Sequence, residues 1–480
     1  MTSVMLPELP DHALTELGRT EGGPQALALL VRAQDTRRLL ALRAVLDATA
    51  DADPRLCPPA ARRRIAEDWA LLEAADATAQ PPTASPARTR LLHPLVGPWA
   101  QRCLTLLRTD PTRPGAPERS RRLAAELAHL GSVAAAAAAR ANVPFTVRLT
   151  PRDGALVLPS IGALRTSMPD DTAYEVTYRY GQLKIREPGG TLVVVRLERG
   201  IGAWSDDPAW TPAHALPGLT ADAAPTPLDD LDPYRGAEDG AHYRGAGGPA
   251  TLDDAERKRW LQAWSGTAAE LRLGGEQRLT EAVTLLRCLV PLAPPPGSDP
   301  HDATASTCSG TRREAFGAVL SSTPPTAPVF AATLVHELQH TKLVTVAQLV
   351  PLHRAGGAAR YFAPWRPDPR PFDGLLQGAY SHLALADFFQ RRALHLTRTA
   401  ERESAWAVHA RCKEQVGAAL PAVVGSTDLT PQGRRLVDRM VATYERLDEH
   451  RPPRGHTARA RAYVDAARTL FSGRRMRSTG

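Results

Sequence analysis

The chemistry of this 480-residue chain is concentrated in one stretch, PVFAATLVHELQHTKLVTVAQLV, where His336, Glu337 and His340 form an HExxH motif. Two histidines four residues apart lie on one face of a helix, about a turn from each other, and can share a divalent metal ion at ~2.0–2.1 Å. Glu337 then points to a neighbouring face, within reach of a metal-bound water. Leu334, Val335, Leu338, Leu343, Val344 and Val346 surround the motif and predict a buried helix, whose low-dielectric setting strengthens metal binding.

A third ligand has to come from elsewhere. Val346 follows where the extended zincin motif would place its third histidine, and no acid occurs between Glu337 and Asp368, where glutamate-type zincins place theirs. The later histidines in this region are His353, His382 and His395. His353 follows Pro351 at the end of the helix. His382 lies in GLLQGAYSHLALADFF, 42 residues after His340, at the entry to another amphipathic helix, and is the favoured third ligand. Between the two helices runs YFAPWRPDPRPFDG, a proline-stiffened loop holding Arg366 and Arg370. A guanidinium held there can clamp a carboxylate bidentately, or can pair internally as Arg366–Asp368 or Arg370–Asp373. Lys342 is another candidate carboxylate partner.

The elements that must position these residues follow from periodicity. Residues 1–142 carry apolar positions at three- and four-residue spacing and read as helices, interrupted by a loop at 79–89 and ending in the Ala-rich stretch before Asn142. From Val143 the period changes to two. VPFTVRLTPRDGALVLPSIG predicts a hairpin turning at Arg152–Asp153–Gly154; AYEVTYRY alternates, with Tyr174, Val176, Tyr178 and Tyr180 on one side; LKIREPGGTLVVVRL adds strands around Gly189–Gly190. Helices return from about Leu252 to Leu292, and TRREAFGAVLSS leads as strand or turn into the HExxH helix. The fold expected is α+β, mainly helical, with a small antiparallel sheet and a zincin-like HExxH helix. Its regions are a helical N-terminal region (1–142), a small antiparallel β region (143–200), a connector or lid (201–250), a helical metal-binding catalytic region (251–470) and a basic tail (471–480).

Composition excludes several classes. The 43% hydrophobic and 23% charged content is that of a globular chain rather than a disordered one. Apolar runs fall short of the ~18–20 residues that span a bilayer, and the N-terminus lacks the basic start and apolar core of a signal peptide. The expectation is a soluble cytoplasmic protein without a membrane partner. Five cysteines stand far apart with no CxxC pair, which excludes Cys-rich zinc and iron–sulfur motifs and suits reduced, mostly buried thiols. Net charge is +8, nearly all of it from residues 451–480, where eight arginines face the single acid Asp465. Without interleaved aromatics or a known motif, nucleic acid is not the expected partner.

Several spaced motifs stand together in the chain: PLDDLDPYRG (227–236), STCSGTRREAFGAV (306–319), LVHELQHTKL (334–343), YFAPWRPDPRP (361–371) and GLLQGAYSHLALADFF (374–389). In type and order they resemble the actinobacterial HEXXH-motif-containing peptide-modification proteins, over residues 227–389. The resemblance implies an iron(II)/2-oxoglutarate-dependent β-hydroxylase acting on a ribosomally synthesised precursor peptide. The stand-alone form is implied, since no radical SAM CxxxCxxC occurs. It implies that His336, His340 and His382 hold Fe(II), with O2 as the second co-substrate, and that Arg370, Arg366 or Lys342 meets the distal carboxylate of 2-oxoglutarate. Leu338 stands where the family often has Phe, and Phe389 where it often has Trp.

Imidazole suits iron and zinc alike. The residues therefore also admit a zinc metallopeptidase with Glu337 as general base, or a peptide-binding protein without catalysis.

Overall fold

The computed structural model describes residues 8–79, 85–110, 115–236, 247–295 and 307–478. The loops expected at 79–89 and after Leu292, and the connector at 201–250, fall partly outside these residues. Helices account for 54% of the chain and the strands form small sheets, so the fold is α+β and mainly helical. No helix among the described residues is long and apolar enough to cross a membrane.

Six helices open the chain: α1 (Asp11–Gly18), α2 (Pro24–Asp51), α3 (Pro59–Ala77), α4 (Pro86–Leu91), α5 (Val96–Leu107) and α6 (Ala116–Arg140). Proline in the first turn of α2, α3, α4 and α6 starts each where a missing N–H costs nothing. The alanines of α6 from Ala134 to Ala139 are all buried. Small side chains there let neighbouring elements approach the helix closely.

The expected β region is two sheets rather than one. Strands β1 (Phe145–Leu149), β4 (Tyr174–Arg179), β5 (Gln182–Arg186), β6 (Leu192–Leu197) and β7 (Ala203–Trp204) pair antiparallel in the order β1-β4-β5-β6-β7. Strands β2 (Ala155–Leu158), β3 (Gly162–Arg165) and β8 (Trp210–Pro212) form a second sheet. The turn expected at Arg152–Gly154 is present, with Asp153 and Gly154 at φ 51° and 74°. Its flanking strands diverge, β1 to β4 and β2 to β3, so it is not a hairpin. Tyr174, Val176 and Tyr178 are buried on one face as expected, but Tyr180 is 96% exposed. With Gly181 it forms the left-handed two-residue turn between β4 and β5, which ends the alternation.

A third, mixed sheet supports the motif helix. It orders β12 (Ser309–Gly310), β13 (Ala318–Ser322), β11 (Cys288–Leu292), β10 (Thr226–Leu228) and β9 (His214–Leu216), with β11 parallel to both β13 and β10. Helices α7 (Asp254–Leu273) and α8 (Glu276–Leu285) precede β11, so the helical stretch expected to reach Leu292 ends at Leu285. Every residue of β11 and β13 is buried, as in strands covered on both faces.

The chain then enters α9 (Ala327–Leu349) and α10 (Phe372–His395), followed by α11 (Thr399–Val424), α12 (Pro431–Arg446) and α13 (Arg454–Ser478). Helix α13 carries the chain from 471 to Ser478, where a frayed tail was expected. Pro328 stands in the first turn of α9, and Pro351 lies just past its end. Phe330, Leu334 and Leu338 of α9 pack with α7, α8 and the third sheet, whereas Leu343 and Val346 pack with α10, α11 and α12. Helix α9 is thus wedged between two apolar cores, with one stripe left to a cleft.

Candidate metal centre

His336 and His340 project from α9 into a cleft of about 720 Å³. Their Nε2 atoms stand 3.0 Å apart. Two donors at ~2.1 Å from one ion, seen at a right angle, are separated by about 3.0 Å. His340 turns Nδ1 to the Gln377 Oε1 at 3.2 Å, which puts the proton on Nδ1 and leaves the Nε2 lone pair free. A ligating imidazole is normally held this way, by a hydrogen bond from its other nitrogen.

Helix α10 brings His382 to the same place. Its ring packs edge-on against His336, with centroids 5.3 Å apart, and its Nδ1–H donates to the Gly378 carbonyl at 2.9 Å. That bond again frees Nε2. Trp365, from the proline-rich loop, stacks on the other face of His382 at 4.6 Å and 23°. A Cβ on Gly378 would come within 2.2 Å of the Trp365 ring, so glycine is what allows the stack. The fit to a three-histidine centre is close but incomplete: the three donor nitrogens do not all lie within 4.8 Å of one another. His336 and His340 stand at ligand spacing, and His382 has the correct tautomer beside them.

Burial keeps the His336 and His382 rings neutral, the form that ligates. Burial first, then His340 and His382, pushes His336 well below the usual imidazole range. Burial also takes His382 to about 4, against the stabilising bond to Gly378. Glu337 is 3% exposed. Ser309 Oγ–H donates to its Oε1 at 2.7 Å. Burial raises the Glu337 carboxyl, against the pull of His340 and of hydrogen bonds from Ser309 and Thr311.

The basic residues divide. Arg366 and Arg370 both line the cleft. Arg366 Nε donates to Asp368 at 3.0 Å, the internal pairing that its loop allowed. Arg370 lies 3.7 Å from the same carboxylate and against Gly374 of α10. Asp373 does not take Arg370; it pairs with Arg313 at 2.7 Å and lies 3.5 Å from His353. Lys342 is misplaced for a co-substrate. It is fully buried on the far side of α9, where its Nζ donates to Glu281 at 2.6 Å. Burial lowers its ammonium to about 8, against the pull of Glu281. It can neither meet a carboxylate in the cleft nor face solvent.

Neither other histidine reaches the pair: His353 packs on Phe372, and His395 is bonded to the Arg391 carbonyl at the exposed end of α10. Ser309, Thr311, Trp365 and Gln377 also line the site without having been singled out. The one usable signal was Gly378, four residues before His382, where a missing side chain marks a close approach.

Among the described residues, the three donors that do gather within 4.8 Å are His93, Asp229 and Cys288. Their lone pairs are spent internally. The Leu95 N–H donates to His93 Nδ1 at 3.4 Å, so Nε2–H donates to Asp229 at 3.0 Å. The buried Cys288 thiol is held well above its usual range and bonds the same carboxylate, and the buried Arg90 guanidinium opposes a further cation. This is a sealed tie between the α4–α5 turn and the third sheet. All five cysteines are free thiols.

No family model matches the chain, and no curated protein matches it.

Proposed function

We propose that the chain is an iron(II)/2-oxoglutarate-dependent hydroxylase of a ribosomally made peptide. The observation that carries the reading is the pair of imidazole Nε2 atoms 3.0 Å apart, with His382 beside them, opening on a cleft that also holds Arg366 and Arg370. His336, His340 and His382 would hold the metal. Bound iron with 2-oxoglutarate and O2 supplies the oxidising power to turn a peptide C–H into C–OH, releasing succinate and CO2.

The protein's own contribution is placement. Gln377 and Gly378 fix the tautomers of His340 and His382, so that each presents a lone pair to the cleft. Arg370, the more loosely paired of the two loop arginines, is the better placed to bind the distal carboxylate of 2-oxoglutarate. Trp365 covers one face of His382 and keeps water from it. A cleft of about 720 Å³ has room for a small dicarboxylate together with a substrate side chain.

Because Glu337 lines the same cleft, a zinc peptidase with this carboxylate as general base is the second reading. Ser309 and Thr311 already hold the carboxylate, which favours the first. The test incubates peptides encoded beside this gene with the protein, iron(II), ascorbate and 2-oxoglutarate. Gain of one oxygen atom with matching succinate supports hydroxylation. Fragments formed with zinc alone move the assignment to hydrolysis, and an unchanged peptide under both conditions leaves peptide binding without catalysis.

A further inference from the structure

Behind α9, opposite the cleft, lies a set of buried charges. Lys342, Arg278, Glu281 and Asp387 are each 3% exposed or less, and the half-buried Arg391 also donates from Nε to Asp387 at 3.1 Å. Glu281 is the hub. It accepts from Lys342 Nζ at 2.6 Å, from Gln339 Nε2 at 3.2 Å and from an Arg278 Nη at 3.1 Å. The other Arg278 Nη donates to Asp387 at 3.3 Å. Lys342 and Arg278 also both donate to the carbonyl of Thr20, whose φ of 60° is left-handed.

The placement of these residues along the chain is informative. Lys342 follows His340 by two, so at about 100° per residue it points to the side of α9 away from His336 and His340, and Gln339 lies on the helix surface between Lys342 and His336. Asp387 lies five residues beyond His382 on α10. One unbroken series of directional bonds therefore runs from the α9 turn that carries His340, through Glu281 and Arg278, to the α10 turn after His382. Apolar packing alone lets a helix turn about its axis or slide by a fraction of a turn. Charge-assisted bonds to three donors do not.

Stability alone gives a weak reason for such a cluster, because buried ion pairs commonly do no better than apolar side chains of the same volume. We infer that Glu281, with Lys342, Arg278 and Asp387, is a positioning cluster for the metal centre. It fixes the rotation of α9 against α10, and so the distance from His382 to the His336–His340 pair. The inference rests on the metal-binding reading of those histidines.

The test compares two paired replacements in the full-length, metal-free protein. One is Lys342→Met with Glu281→Leu. The control is Arg152→Met with Glu126→Leu, an ion pair at 2.8 Å in the core around α6, outside the bonds that join α9 to α10. Cobalt(II) affinity, the cobalt absorption spectrum and thermal unfolding without metal are measured for each. The first pair is expected to lose cobalt affinity about 10-fold or more and to change the spectrum. The control is expected to keep both, even where its melting temperature falls as far. Gln339→Leu removes one arm of the hub without leaving a charge unpaired, and is expected to weaken cobalt binding about threefold should the first pair not fold. Wild-type affinity and spectrum in the first pair, or in Gln339→Leu where that pair does not fold, overturn the inference, as does an equal loss in the control. A wild-type protein that binds no cobalt overturns the metal reading itself and this inference with it.

Discussion

The two sides of α9 hold polar groups in opposite ways. On the far side, Lys342, Glu281, Arg278 and Asp387 are buried, charged and joined by ion pairs. On the near side, His336, His340 and His382 are half-buried at an open cleft, with His340 and His382 each held so that Nε2 presents a lone pair. The same helix thus borders a charge-paired assembly on one side and donors open to a cleft on the other. Buried polar groups that satisfy each other are architecture; groups that are oriented by their neighbours but not satisfied are where a ligand belongs. His93, Asp229 and Cys288 fall on the architectural side, although their residue types suggest a metal site more readily than a lone imidazole pair does.

The contrast can be broken most sharply on the cleft side. His336→Ala or His340→Ala should lower divalent-metal affinity by more than about 100-fold, beyond the range of outer-shell changes, and leave the melting temperature of the metal-free protein nearly unchanged. Metal content after dialysis, read beside thermal unfolding, checks it. On the far side the expectation reverses. Lys342→Ala leaves Glu281 and its partners unbalanced in the core and should cost about 3–5 kcal/mol, read by denaturant unfolding.

A third buried site shows what an unsatisfied charge does where no ligand is needed. Asp68 on α3 is 4% exposed against Gly131 of α6, and burial raises its carboxyl to about 7. The unfolded chain releases this proton near pH ~3.9, whereas the folded chain holds it until about 7. Stability should therefore fall as pH rises between those values and level off above them. Asp68→Asn should flatten that slope and raise stability at pH 8 by about 1–3 kcal/mol, measured as unfolding midpoint against pH. The smallest effect is expected at Arg366, whose exposed pairing with Asp368 is worth less than about 1 kcal/mol. Arg366→Ala should leave the melting temperature alone and move the apparent KM for 2-oxoglutarate less than Arg370→Ala does.

Sequence spacing carried the near side of α9 well. An apolar run with two histidines four apart locates the helix and the donor pair, and the amphipathic stretch around His382 locates the second helix. The far side was not legible. That Lys342 lies two residues from His340 says which way it points, not what waits there, and Glu281 stands 61 residues earlier, on another helix. Ser309 and Thr311 reach Glu337 only through the pairing of β12 with β13, which no local pattern announces. Cys288–Leu292 was read as helix because a short apolar run has no period of its own. The turn at Asp153–Gly154 was real, but a turn does not choose the partners of its strands, and those went to different sheets.

The central claim is that the cleft histidines hold iron and the cleft accepts 2-oxoglutarate. It is tested most directly by succinate formation from 2-oxoglutarate under air, with iron(II) and ascorbate, for the wild type and for His340→Ala. The account predicts slow succinate release from the wild type even without peptide, lost in the variant and absent with zinc. Equal succinate from both proteins, or none from wild type that has been shown to carry iron, would contradict it.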